Sequence, residues 1–141
     1  NLIDEFQILE ARIHGANAVL LMASVLSIEK LNVMLGRVHQ LKMHALVEVH
    51  DEAELDAVLK ETDAQIIGIN SRDLKTLEIH EDQVVKLERR VKAAGRVGVA
   101  ESGIFEHKQV ERLRTVADAV LIGSSIMMAK DIAAKIKELG W

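Results

Sequence analysis

Four short stretches carry most of the side chains here that are able to do chemistry: Glu48-Val49-His50-Asp51, Asn70-Ser71-Arg72-Asp73, Glu101-Ser102-Gly103 and Gly123-Ser124-Ser125. Glu48 is the most informative of them. A carboxylate set in the apolar run ALVEV is costly to desolvate, so it is either paired with a basic neighbour for stability or kept for acid–base work. Both readings stand at this point. Side chains alternate along a strand, so Glu48 and His50 share a face, as do Gly68 and Asn70. Arg72 joins that face if extended geometry continues so far. His50 lacks a metal site's company: His39, His44 and His50 are too irregularly spaced for one helix face, and no His-x3-His pair accompanies them. A supporting or surface histidine is expected, and no metal. Small residues at Ser102-Gly103 and Gly123-Ser124 let backbone N–H groups approach an anion, which helix starts beyond them would favour. A phosphate site is expected there; ordinary strand-to-helix turns are the plainer alternative. No GxGxxG, Walker lysine loop or Gly-x-Ser-x-Gly elbow is present, which disfavours dinucleotide, nucleoside-triphosphate and esterase chemistry.

Each of these stretches closes an apolar run, and the runs show how they are positioned. Ala18–Ala23, Ala45–Val49, Ile66–Asn70, Val97–Ala100 and Ala119–Gly123 read as strands buried on both faces. Between them the spacing is helical: Leu31, Met34, Leu35 and Val38, then Val84, Leu87 and Val91, then Val110 and Leu113, and finally Ile132, Ile136 and Leu139. Phe6, Leu9 and Ile13 predict a first helix over Glu5–Gly15. Asp4 with Gln7, and Asp51 with Glu54, read as capping boxes. The charged run Glu88–Lys92 reads as a solvated helix face. The order is thus one helix followed by five strand–helix units, an α/β chain with a parallel sheet. An open doubly wound sheet and part of a (β/α)8 barrel both satisfy it, a whole barrel needing about 250 residues. In either, the active site gathers at the C-terminal strand ends, where the four stretches lie.

Composition narrows the partners. The chain is 49% apolar and 28% charged, with a net charge of −4 and only 2% aromatic residues. An acidic balance with so few stacking side chains disfavours nucleic acid as a partner. No apolar run reaches the length of a membrane span, and the acidic opening does not resemble a signal peptide. There are no cysteines, hence no disulfide framework or thiolate chemistry, as fits a reducing cytoplasm.

LVEVHDEAEL (Leu46–Leu55), IIGINSRDLKTLEI (Ile66–Ile79), VAESGI (Val99–Ile104) and AVLIGSSIM (Ala119–Met127) together resemble the indole-3-glycerol phosphate synthases. ANAVLLMASVL (Ala16–Leu26) and IDEFQILEAR (Ile3–Arg12) are similar to that family's earlier segments, so the likeness runs through the whole chain in order. It implies a partial (β/α)8 TIM barrel over residues 1–141, comprising strands four to eight. It also implies closure of the indole ring of 1-(2-carboxyphenylamino)-1-deoxyribulose 5-phosphate in tryptophan biosynthesis, with loss of carbon dioxide and water and no cofactor. By motif, Glu48 matches the glutamate of proton transfer, and Asn70 and Arg72 the pair that orients substrate and catalytic groups. Glu101 and Ser102 match substrate-side residues; Gly103, Gly123 and Ser124 match the phosphate grip. The family's two catalytic lysines belong to strands one and three, upstream of Asn1, so this chain alone is expected to be inactive. Lys42 and His44 depart from a glycine and a small or acidic residue common at that turn, and Val91–Gly95 lacks the usual prolines.

Two other readings remain open: a non-catalytic phosphate-binding or assembly module, and a related phosphate-handling barrel enzyme, which Asn70–Asp73 disfavours. A sheet of these units leaves two aliphatic edges unpaired, at AVLLMA and AVLIG. Self-association through them, or pairing with a complementing N-terminal fragment, is therefore expected.

Overall fold

The computed structural model describes residues 7–13, 16–70, 81–102, 107–122 and 125–128. All five apolar runs are strands: β2 (Ala16–Met22), β3 (His44–Val49), β4 (Ile66–Asn70), β5 (Val97–Ser102) and β6 (Ala119–Ile122). They pair in parallel and in chain order. Helices α1 (Ile28–Gln40), α2 (Glu52–Glu61), α3 (Glu81–Ala93) and α4 (His107–Leu113) fill the intervals. A doubly wound sheet reverses its strand order at a switch point. This one never reverses, which is barrel winding.

The expected helix stripes are the buried ones: Leu31, Met34, Leu35 and Val38 on α1, and Val84, Leu87 and Val91 on α3. They pack with one parity of the strands, including Leu21, Val47, Ile67, Ile69, Ala100 and Val120. The other parity forms a separate layer, with Leu46, Ile66, Val97 and Val99 almost fully buried. That layer is enclosed by the sheet's own curvature, for the first and last strands approach each other. On the outside, Lys86 and Arg90 of α3 reach Glu52 and Asp56 of α2, and Arg112 of α4 reaches Glu81 and Asp82 of α3. These largely exposed pairs keep the helices in order more than they stabilise them.

Four expectations need correction. Gln7–Ile13 is not helical but a strand, β1, antiparallel to β2 with a register shift between Leu9 and Arg12. Pairing satisfies the backbone groups along the β2 edge, a tertiary gain that outweighs local helical spacing. Secondly, Ser125–Met128 forms β7, antiparallel to β6, where a strand-to-helix turn was expected at Gly123-Ser124-Ser125. Both aliphatic edges expected to be free are therefore covered within the chain. Thirdly, Glu88 is fully buried, so the run Glu88–Lys92 is a solvated face only in part. A Cβ on Gly98 would run into the Glu88 carboxyl, so the glycine seats it. Fourthly, the Asp51 cap is not a reciprocal box. Asp51 accepts the Glu54 N–H at 2.8 Å, but the Glu54 carboxylate turns back to the His50 N–H at 3.2 Å, one residue earlier. The Asp4 cap and the stripe at Ile132, Ile136 and Leu139 lie outside the described residues, although Gln7 is in a strand.

Candidate active site

Glu48, Asn70 and Glu101 come from three successive parallel strands, near their C-terminal ends. Register accounts for their meeting. Glu48 of β3 stands opposite Gly68 of β4, and Asn70, two residues on, stands opposite Glu101 of β5. All belong to the parity that faces the enclosed inner layer. Asn70 Nδ2 donates to Glu48 Oε1 at 3.4 Å, and Glu101 hydrogen-bonds to Glu48. Glu48 is 5% exposed and Glu101 4%.

Two carboxyls in contact out of water cannot both be ionised comfortably. Burial, followed by the charge of Glu48 and the hydrogen bond to it, raises the Glu101 pKa well above its ordinary value. Burial beside Glu48 thus favours the protonated form of Glu101. The arrangement provides an acid and an acceptor within a few ångströms, with an amide to orient the acceptor.

Gly68 makes the pair possible. A Cβ there would collide with a carboxyl oxygen of Glu101 and lie 2.8 Å from its Cδ and 3.2 Å from Leu46 Cδ1. The Glu101 side chain therefore folds over a gap that only glycine leaves. Sequence reasoning placed Gly68 on the right face and gave it no task; the available signal was its position between two polar strand ends. His50 is closer to the site than a surface residue, with Nε2 3.3 Å from Glu48 Oε2. Glu54, expected only as a capping partner, sits 3.4 Å from His50 Nδ1. Its i, i+4 spacing from His50 across a cap was the overlooked signal. Among the described residues Glu48 meets Asn70, His50 and Glu101, and no lysine or arginine.

Ser102 ends β5 opposite Ile122 of β6. Arg72, Gly103, Gly123 and Ser124 lie outside the described residues. Among the described residues no group of three or more His, Cys, Asp or Glu side chains is placed to hold a metal ion. No described helix is long and apolar enough to cross a membrane.

Fold and site define a class: a barrel-wound α/β chain with a buried carboxyl pair at the strand ends where such barrels keep their active sites. The particular family follows from comparison. The family model described as indole-3-glycerol phosphate synthase matches residues 1–139. A protein named indole-3-glycerol phosphate synthase from Acetivibrio thermocellus is 46% identical over 138 residues, covering 97% of this chain and 52% of its own length. Those so named from Sulfurimonas denitrificans and Dehalococcoides mccartyi strain CBDB1 are 43% and 42% identical, over 98% and 96% of this chain and 52% of each relative. The chain belongs to the indole-3-glycerol phosphate synthase family, and it spans about half the length of the curated relatives it matches.

Proposed function

We propose that this chain carries the C-terminal half of an indole-3-glycerol phosphate synthase site, acting in the cytoplasm on 1-(2-carboxyphenylamino)-1-deoxyribulose 5-phosphate. The observation that carries the reading is the buried Glu48, hydrogen-bonded by Asn70 and Glu101 at the strand ends of a family member. In this reading Glu48 moves protons during ring closure and dehydration. Asn70 orients its carboxyl, and Arg72, Glu101 and Ser102 face the substrate. Gly103, Gly123 and Ser124 hold the phosphate through backbone N–H groups and a hydroxyl. In this reading lysine acids outside these 141 residues complete the site.

The test is formation of indole-3-glycerol phosphate, measured for this chain and for a form extended upstream through the missing strands. Turnover is expected only in the longer form. There Glu48→Gln lowers kcat by about 10²–10⁴, the usual share of a general acid–base group. Undiminished turnover in that variant would remove Glu48 from the chemistry.

A further inference from the structure

His50 follows Glu48 by two residues, which brings both side chains to the inner face, with His50 nearer the mouth. Its ring lies between two carboxyls: Nε2 is 3.3 Å from Glu48 Oε2, and Nδ1 is 3.4 Å from Glu54 Oε1. Glu54 is itself held in place. Asp51 caps α2 by accepting the Glu54 N–H, and the Glu54 carboxylate also takes the His50 N–H. One helical turn thus grips the histidine by backbone and ring. With a proton on Nδ1 held by the Glu54 carboxylate, the lone pair of Nε2 faces Glu48.

Exposure falls along the row. The side chains of Glu54 and His50 are 22% and 21% exposed, and that of Glu48 is 7% exposed. Among the described residues the other partners of Glu48 cannot do the same task. Asn70 is an amide that neither gains nor gives up a proton, and Glu101 is 4% exposed and so cut off from water.

We propose that His50, oriented by Glu54, is the positioning residue through which the Glu48 carboxyl exchanges protons with solvent. When Glu48 gives up a proton, its Oε2–H bond breaks and an Nε2–H bond forms. The Nδ1–H proton passes to Glu54 Oε1 and from there to water, and the reverse sequence reloads Glu48. Only O–H and N–H bonds change, and no oxidant or reductant takes part. The inference deepens the reading of Glu48 given above and rests on it for its purpose.

The experiment follows the Glu48 carboxyl ¹³C signal, assigned by its loss in E48Q, and the His50 ring ¹⁵N signals of the chain through a pH series. Among the described residues the facing groups are Asn70, Glu101 and His50 around Glu48, and Glu48 and Glu54 around His50, so E101Q and E54Q are measured alongside. In the wild type the Glu48 signal and both ring nitrogens move in step, and the neutral ring carries its proton on Nδ1. H50N abolishes that component of the Glu48 curve, whereas E101Q leaves it. E54Q retains the ring and loses the Nδ1–H preference. A Glu48 curve unchanged in H50N overturns the proposal. If H50N does not fold, unchanged ring nitrogens in E54Q overturn it. No substrate is present, so coupled signals in a protein whose Glu48→Gln form turns over normally would remove only the functional reading.

Discussion

Glu88 and Glu101 are carboxyls buried on the two faces of β5, and each is seated by a glycine. Glu101 folds over Gly68 on the inner face, and Glu88 of α3 rests on Gly98 on the outer face. Glu88 is completely buried, and neither of its carboxyl oxygens has a hydrogen-bond partner among the described residues. Burial first, then the charges of Asp118 and Glu101, raises its pKa well above the ordinary value. The folded chain therefore keeps a proton that the unfolded chain releases. The contribution is fully present below the unfolded-state pKa and is lost as pH rises through the folded-state value. Glu101 acts with the same sign. The melting temperature is expected to fall as pH rises above the ordinary glutamate value of about 4.5. Glu88→Gln should flatten that fall, leaving the Glu101 share. Parallel curves in a thermal scan would show that Glu88 does not titrate on unfolding.

At the scale of elements, two helix ends use the same device with different residues. After α1, Lys42 has φ 56°, and the N–H groups of Lys42 and Met43 return to the carbonyls of His39 and Val38. After α3, Gly95 has φ 73°, and the N–H groups of Gly95 and Arg96 return to Lys92 and Val91. Both are left-handed C-terminal caps, a conformation that costs a side chain bearing a Cβ about 1–2 kcal/mol. The departure noted at Lys42 is thus a strained residue where glycine fits without strain. Lys42→Gly is expected to raise stability by about 1 kcal/mol, less whatever glycine's extra freedom takes back in the unfolded chain. Urea denaturation measures it, and a lower midpoint with an unchanged slope would contradict the argument.

For the whole molecule the decisive feature is that outer antiparallel strands cover both edges of a five-stranded parallel sheet. β1 pairs with β2 and β7 with β6, so the apolar edges that promised self-association are occupied. Exposed edge strands promote pairing between chains, and covered ones do not. Sedimentation at micromolar concentration should therefore give one 15.6 kDa species. A form beginning at Ala16, which lacks β1, should associate in proportion to concentration. Association of the longer chain to the same degree would mean that another surface drives it.

The sequence by itself determined the five parallel strands, their connecting helices and the strand ends that carry Glu48, Asn70 and Glu101. These rest on periodicity and burial, and a run such as IIGIN has no alternative to being covered on both faces. It also contained the residues of the family, which the comparisons bear out over residues 1–139. Only the tertiary structure decided the rest. Whether Gln7–Ile13 became helix or strand depended on an unpaired neighbour, since local spacing does not register a free edge. Whether Glu88 faced water depended on a glycine ten residues away on β5. The task of Gly68 and the grip of Glu54 on His50 arise from register between strands and from one turn of α2. Such contacts join residues through space, and a pattern read along the chain does not encode the distance between them.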